Sequence, residues 1–229
     1  MKYIFFTFKH KKYIFNKMSV LTTLIQTGET ISLTDADIMN ICFQQTVIFT
    51  YDELLKVNDI TELFVNTNNF VLFYQTTSKN IGHWVCVIYH KDQNVIELFD
   101  SYGLSDEQLL SYSETSEYLA QGIPYLTYLI NKAQNDYGAR YVWNNEQLQS
   151  ADFGHINTCG RYAALRARFC NLSLDKFKSM IQDSKYGSDF LVTALTILFN
   201  ENIDEIITDK VRGIIPLRNK IYKFKEFNL

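Results

Sequence analysis

The sequence of 229 residues is poor in proline and has no long hydrophobic run. Only two prolines occur and 47% of the residues are hydrophobic, which argues against extensive disorder. No stretch approaches the roughly 18 consecutive apolar residues that predict a membrane span. The opening MKYIFFTFKHKK begins like a signal peptide, but Lys9 interrupts its apolar stretch and no small-residue cleavage site follows. We therefore do not expect export.

Cysteine is scarce as well. The four thiols lie at positions 42, 86, 159 and 170, a spacing that matches neither a zinc site nor a disulfide framework. We therefore expect no metal site and a reducing, intracellular compartment.

Charge is unevenly distributed along a chain whose net charge is −3. Residues 1–17 carry five lysines and no acid, and residues 210–229 carry six basic side chains and one acidic side chain, which leaves −13 in residues 18–209. We interpret residues 18–209 as one domain between a basic extension and a basic tail. Met18 is a second candidate for the start of translation, and a start there would make residues 1–17 dispensable. Basic ends on an acidic body indicate nonspecific contact with nucleic acid, contact with another acidic surface, or solvated tails.

Hydrophobic periodicity predicts strands in the middle of the chain and helices after them. The expected strands are 70–75, 83–90, 94–100 and 139–144, and the expected helices lie within 32–44, around 106–134, and at 160–171, 173–184 and 188–200. Ser188 and Asp189 supply cap chemistry for the last helix. Residues 220–229 fit either a strand or a docking tail. Strands followed by helices indicate an α+β fold.

Two of these strands place a histidine beside an acid. A four-residue hairpin loop, KDQN, pairs His90 with Val95, and the same register makes His83 and Asp100 diagonal neighbours on one face of the sheet. Glu97 has the opposite parity and points away, although a one-residue bulge would reverse this choice. A carboxylate bound to an imidazole fixes its tautomer and favours its protonated form.

Cys159 lies where a polar loop changes into a helical pattern, CGRYAALRARF. At a helix N-terminus, unpaired N–H groups and the positive end of the helix dipole stabilise a thiolate. Gly160 leaves room beside the sulfur for a substrate backbone. Together with the His–Asp pair, this thiol would complete a catalytic triad. The alternative is a structural thiol in the core, which is our interpretation of Cys42 and Cys86.

These residues resemble the motifs of the adenovirus-type cysteine proteases, which are related to the ubiquitin-like-protein proteases. The segments GHWVCVI, LFDSYGLSDEQL and TCGRYAALR give the family's order of His, acid and Cys, and the match spans about residues 65–200. The sequence is most similar to versions from virophages, large DNA viruses and related transposons. The resemblance implies a papain-like, adenain-like fold, with a central mixed sheet flanked by helices and the catalytic Cys at a helix N-terminus.

The resemblance also implies a role for each matching residue. By the family's motifs, His83 is the general base, Asp100 is its orienting acid and Cys159 is the nucleophile. Trp84 and Gly160 border the substrate groove. No metal takes part.

The oxyanion hole departs from the family's pattern. The family places a Gln six or seven residues before the Cys, but here those positions hold Phe153 and Asp152, and the nearest upstream glutamines are Gln149 and Gln147. We favour Gln149 as the donor that acts together with the Cys159 backbone N–H, because an ionised carboxylate at Asp152 would repel an oxyanion. The Asp152 position is kept as the alternative. His155 lacks an acid partner and is better interpreted as a loop or substrate-contact residue than as the base.

The implied function is that of a cysteine endopeptidase that forms a thioester and processes capsid or core precursors in an assembling virion. Its location would be the virion and the cytoplasmic viral assembly site. No cofactor is required, although related adenovirus enzymes are helped by DNA and an activating peptide. Removal of ubiquitin or a ubiquitin-like modifier is the enzymatic alternative. A virion scaffold protein without activity is the non-enzymatic alternative.

Overall fold

A five-stranded mixed sheet forms the centre of the computed structural model, which describes residues 22–78, 81–111, 123–150 and 156–200. The strands lie side by side in chain order and are β1 (Val47–Thr50), β2 (Asn69–Ser78), β3 (Ile81–His90), β4 (Val95–Phe99) and β5 (Arg140–Trp143). The three central strands are antiparallel, whereas β1 and β5 run parallel to their neighbours at the two edges. The basic extension 1–17 and the basic tail 210–229 lie outside the described residues.

Helices flank this sheet and confirm the predicted α+β class. They are α1 (22–29), α2 (Asp35–Ile41), α3 (Asp106–Ser111), α4 (Tyr125–Tyr137), α5 (Cys159–Arg168), α6 (Leu174–Gln182) and α7 (Ser188–Phe199). α2 begins at a capping box, in which Thr34 and Asp37 each accept a hydrogen bond from the other's backbone N–H. The predicted helical region 106–134 corresponds to α3 and α4, and residues 112–122 between them lie outside the described part.

Each face of the sheet is covered by a layer of helices. α2, α5, α6 and α7 pack on the face that carries Cys86, Ile88 and Phe99. α3, α4 and two 3₁₀ helices, Tyr51–Lys56 and Ile60–Phe64, pack on the opposite face. α5 packs against the sheet on one side and against α2 and α7 of the same layer, and these contacts fix its position.

The β3–β4 hairpin has the predicted register. His90 pairs with Val95, and the pairing continues without a shift to Cys86 opposite Phe99. The residues between the strands form a short 3₁₀ turn that ends in a left-handed residue. Since no bulge intervenes, the parity argument that placed His83 holds.

Two local interpretations need correction. No element was expected in 45–69, yet this segment contains β1 and both 3₁₀ helices. A four-residue strand and helices of one or two turns are too short to produce a clear periodic pattern. The prediction that Ser188 and Asp189 cap α7 is wrong, because Gly187 is the N-cap residue and no side chain caps the helix.

Candidate active site

His83 and Asp100 meet at one end of the sheet. β3 extends past Cys86, the last residue that pairs with β4, and Asp100 directly follows β4. His83 Nε2 and Asp100 Oδ1 are hydrogen bonded there. The His83 side chain is 12% exposed and the Asp100 side chain is fully buried, so little water competes for this bond. Glu97 points away from the pair, as its parity predicts, and bonds to Arg166 of α5 instead.

Asp100 is held rigidly by its surroundings. Its Oδ2 accepts hydrogen bonds from the backbone N–H groups of Tyr102 at 3.1 Å and Leu104 at 2.9 Å, which leaves Oδ1 to orient the imidazole. Asn144, which directly follows β5, brackets the Asp100 backbone: its Oδ1 accepts from the N–H at 2.8 Å and its Nδ2 donates to the carbonyl at 2.5 Å. The ring of Tyr102 stacks on His83 with centroids 5.2 Å apart. Sequence reasoning missed Asn144 and Tyr102, although a buried amide directly after a strand is a usable signal.

Cys159 is the first residue of α5 and contacts His83. Because Nε2 of the imidazole is bonded to Asp100, Nδ1 is the ring nitrogen that serves the sulfur. The backbone N–H groups of Trp84 and Gly160 also donate to Sγ. Burial alone would raise the pKa of the thiol, but the positive charge and hydrogen bond of His83, together with the two N–H groups, lower the pKa of Cys159 below its ordinary value.

The imidazole is shifted in the opposite direction. Burial acts to lower the pKa of His83, but the negative charges of Asp100 and Cys159 outweigh it and raise that pKa. A thiolate–imidazolium pair is therefore favoured between the lowered thiol pKa and the raised imidazole pKa. Cys42 and Cys86 lie in the core, as predicted, where burial raises the pKa of Cys42 to about 12 and that of Cys86 well above its ordinary value.

A groove of about 560 Å³ opens beside Cys159. One wall is the loop that leads into α2, and the other is formed by β3 and the start of α5. Trp84 and Gly160, the two residues expected at a substrate groove, both line it. A β-carbon on Gly160 would lie 3.0 Å from Cδ1 of Trp84, so a larger residue would displace the indole.

Gln149 is buried beside the turn that follows Asp100, with 2% of its surface exposed. Ser101 holds it twice: the Ser101 hydroxyl donates to Gln149 Oε1 at 2.7 Å, and the Ser101 carbonyl accepts from the Gln149 N–H at 3.0 Å. The Ser101 contact occupies the Oε1 end of the amide, so an oxyanion role for Gln149 would fall to Nε2. The alternative oxyanion position, Asp152, lies outside the described residues, and so does His155.

Asp189 of α7 joins the segments that carry Gln149 and Cys159. Its Oδ1 accepts a hydrogen bond from Thr158 Oγ1 at 2.5 Å, and its Oδ2 accepts one from the Ser150 N–H at 2.8 Å. Thr158 precedes Cys159 and Ser150 follows Gln149, so a single carboxylate holds the two segments together. Sequence reasoning assigned Asp189 to a helix cap, because a contact between residues this distant in the chain leaves no local pattern.

Metal-binding clusters are not found in the part of the chain that the structure describes, where no group of three or more His, Cys, Asp or Glu side chains could hold an ion. Within the same residues, none of the helices combines the length and the apolar character needed to cross a membrane.

The fold and the site together define an α+β chain with a Cys–His–Asp arrangement at the border of a groove. A sequence comparison finds a relative in Sputnik virophage, the uncharacterized protein V9, with 31% identity over 175 residues that cover 74% of this chain and 96% of V9. The chain therefore belongs to the family of the virophage V9 protein. No family model matches the sequence.

Similar solved structures include a viral protease and a SUMO protease. The ASFV pS273R protease has a TM-score of 0.44 and 16% identity, and the match covers 74% of this chain and 68% of that chain. The SUMO protease Ulp1, with its catalytic cysteine oxidised to a sulfinic acid, has a TM-score of 0.40 and 13% identity over 75% of this chain and 78% of that chain. The C-terminal Ulp1 domain in complex with Smt3, the yeast orthologue of SUMO, has a TM-score of 0.37 and 14% identity over 76% and 79%. The virophage relative falls in one of the groups that the sequence motifs indicated.

Proposed function

We propose that the chain is a cysteine endopeptidase in which Cys159 is the nucleophile, His83 the general base and Asp100 the orienting acid. The observation that carries the proposal is a thiol of lowered pKa, in contact with a carboxylate-bound imidazole, at the border of a groove. Each group has the partner that its role requires, because the base touches the nucleophile and the acid fixes the base. Trp84 and Gly160 would contact the substrate backbone.

The reaction begins when the Cys159 thiolate attacks a peptide carbonyl carbon and forms a C–S bond. The resulting oxyanion is held by the Cys159 backbone N–H and the Gln149 amide. The C–N bond then breaks, and the His83 imidazolium gives its proton to the leaving amine, which leaves a thioester. Neutral His83 next takes a proton from water, whose oxygen attacks the thioester carbon. The C–S bond breaks, and the acid product departs from a regenerated thiolate–imidazolium pair.

The proposed substrates are precursors of viral capsid or core proteins. The virophage origin of the relative supports a viral setting. The groove volume falls within the range of ligand sites, about 300–1,000 Å³, and is sufficient for a short extended peptide. The virion and the viral assembly site would be the place of action.

Duplex DNA and an activating peptide are proposed as optional partners, and neither takes part in the chemistry. DNA would contact the basic residues 1–17 and 210–229, because Lys and Arg side chains neutralise phosphates. We expect an affinity for DNA that falls steeply as the salt concentration rises. An affinity that stays flat would argue against phosphate contacts.

Cleavage assays with the full chain test the proposal. The substrates are viral structural-protein precursors, and ubiquitin or ubiquitin-like modifiers joined to a fluorogenic group, each assayed with and without duplex DNA. We expect the wild type to cut the precursors and Cys159→Ala to lose activity by about 10⁴-fold or more. Cys170→Ala is the matched control, since it removes another half-buried thiol that lies away from the groove.

Each other outcome selects a different function. Cleavage by Cys159→Ala at the wild-type rate would rule out the assigned nucleophile. Cleavage of modifier conjugates alone would replace the endopeptidase with a modifier isopeptidase. A wild type that cuts no substrate, with a Cys159 no more reactive than Cys42, would favour either the virion scaffold protein or a protease that is latent until a cofactor binds.

A further inference from the structure

The carboxylate of Asp189 bridges two backbone segments that are distant in the sequence. Thr158 Oγ1 donates to its Oδ1 at 2.5 Å, and the Ser150 N–H donates to its Oδ2 at 2.8 Å. The bridge lies in the first turn of α7, where no side chain caps the helix. The carboxylate is therefore not the N-cap of α7, and its hydrogen bonds go to two other segments.

Those two segments carry the two proposed oxyanion donors. Thr158 is fully buried and immediately precedes Cys159, whose backbone N–H is the first donor. Ser150 immediately follows Gln149, whose amide is the second donor. Thr158 and Ser150 are each adjacent in the sequence to a donor residue. A change in the distance that the Asp189 carboxylate spans would therefore change the distance between the two donors.

Contacts that do not involve Asp189 also hold this region. Ser101 holds the Gln149 side chain and backbone from the side of the β4 turn. The Tyr162 hydroxyl of α5 donates to the Leu148 carbonyl at 2.9 Å, which attaches the same segment to the helix one residue earlier, and the same hydroxyl also lies close to the Asp189 carboxylate. Removal of Asp189 would therefore loosen the geometry of the donors without detaching the segment.

We propose that Asp189 is a positioning residue that sets the distance between the Gln149 amide and the Cys159 backbone N–H. The inference rests on the proposed function, since it concerns the oxyanion hole of that reaction. Oxyanion donors act in the transition state and contribute about 10²–10³-fold to kcat each. Misplacement of one donor is expected to lower kcat while substrate binding is retained.

Four single variants and one double variant test this role in the peptidase assay. Asp189→Ala removes both hydrogen bonds, and we expect kcat to fall about 10–100-fold with KM within about twofold of wild type. Asp189→Asn can still bridge, because its amide oxygen can accept from the Ser150 N–H while its NH₂ donates to the Thr158 hydroxyl. Asp189→Asn should therefore have a kcat within about fivefold of that of wild type. Asp175→Ala is the matched control, an exposed first-turn acid of α6, and Gln149→Ala completes a double-mutant cycle with Asp189→Ala.

Two readouts distinguish positioning from general support of the fold. If Asp189 acts through Gln149, its removal in a Gln149→Ala background should lower kcat by less than about threefold. The rate at which iodoacetamide alkylates Cys159 should stay at the wild-type value in Asp189→Ala, because the thiolate depends on His83 and on local N–H groups.

Several results would overturn the inference. An Asp189→Ala variant as active as Asp175→Ala would show that the bridge does not position the donors. Fully additive losses in the cycle, or a parallel fall in alkylation of Cys159, would show a general structural role. An Asp189→Asn variant as impaired as Asp189→Ala would assign the effect to charge. In these cases the wild type still cleaves its substrate, so the proposed function stands, whereas a wild type without activity removes both.

Discussion

The β3–β4 hairpin contains two histidine–carboxylate pairs that serve different purposes. His83 bonds to Asp100 at one end of β3, and His90 Nε2 lies 2.9 Å from Glu97 Oε2 at the other end. The two histidines are seven residues apart and the two acids three, so strand parity alone would assign the pairs to opposite faces. His83 and Asp100, however, lie beyond Cys86 and Phe99, the last residues that pair between β3 and β4, and at this end of the sheet His83 contacts the first residue of α5. α5 supplies a third partner to each pair. The first pair meets a thiol and the second meets an arginine.

The second pair anchors the helix. Arg166 Nε bonds Glu97 Oε1 at 2.7 Å and its terminal nitrogen bonds Oε2 at 2.8 Å, with both side chains essentially inaccessible to solvent. The same guanidinium donates to the carbonyls of Phe169 at 2.8 Å and Leu172 at 3.0 Å, just past the end of α5. Burial alone would raise the pKa of Glu97, but the hydrogen bonds from His90 and Arg166 lower it. The acid therefore stays ionised and fixes the helix to the sheet.

The two pairs differ in whether the third partner, Cys159 or Arg166, can give up a proton. A guanidinium keeps its charge at all ordinary pH values, so its pair is a permanent structural contact. A thiol can lose its proton to the imidazole, so its pair becomes a nucleophile and a base. Cys159 and Arg166 lie two turns apart on one face of α5, about 10 Å along its axis. The structural pair thus supports the reactive pair through the same helix.

The largest expected effect comes from removing one histidine at a time. His83→Ala should lower kcat/KM by about 10³-fold or more, because the general base and the stabiliser of the thiolate are lost together. His90→Ala should leave kcat/KM within about threefold of wild type, since its imidazole contacts a structural acid. The measurement is kcat/KM on one peptide substrate for both variants. Equal losses would erase the distinction between the two pairs.

Removing one acid at a time should affect stability next most strongly. Glu97→Ala leaves the Arg166 guanidinium buried without its carboxylate, and we expect the free energy of unfolding to fall by about 3–5 kcal/mol. Asp100→Asn keeps a side chain of the same shape beside His83 and should cost less than half as much. Urea unfolding of the two variants measures both values.

A double substitution separates the charge from the packing. Glu97→Leu combined with Arg166→Met replaces the buried ion pair by apolar side chains, which is often neutral or stabilising. We expect the double variant to recover most of the stability lost by Glu97→Ala. A double variant as unstable as the single one would mean that the carbonyl contacts of Arg166, rather than its ion pair, anchor α5.

Sequence reasoning found the reactive pair because its geometry is local. A four-residue hairpin fixes which residues face each other, so the neighbourhood of His83 and Asp100 follows from counting along two adjacent strands. The helix start at Cys159 follows from a local change of pattern. β2, β3 and β4 were predictable as well, since they follow one another closely in the chain and are rich in apolar residues.

The supporting residues were not predictable, because they act over long separations in the chain. Asn144 brackets Asp100 across 44 residues, and Asp189 reaches Thr158 across 31 residues. Neither contact changes the local hydrophobic period, and the best local interpretation of Asp189, a helix cap, was wrong. Arg166 lies near a helix end, where cations interact favourably with the dipole, so its position in the sequence gives no sign of burial. Only the packed fold shows that it is buried against Glu97.

The smallest of the three effects concerns how Asp100 tunes the thiol. Asp100→Asn removes a negative charge that raises the pKa of His83. A less stable imidazolium stabilises the thiolate less, so the pKa of Cys159 should move up towards its ordinary value. At a pH below the pKa of Cys159 in both wild type and Asp100→Asn, each unit by which this pKa rises lowers the thiolate fraction about tenfold. The measurement is the pH dependence of the alkylation rate of Cys159 by iodoacetamide.

His90→Gln is the control for this titration, because it alters the His90–Glu97 pair and leaves the charges of His83 and Asp100 in place. Its alkylation midpoint should coincide with that of wild type. In wild type, the rate should rise with pH through a midpoint below about 8.5, the ordinary thiol value. A midpoint that stays unchanged in Asp100→Asn would mean that this acid holds the imidazole by shape alone. The two hairpin pairs would then differ in their third partner but not in the electrostatic role of their acids.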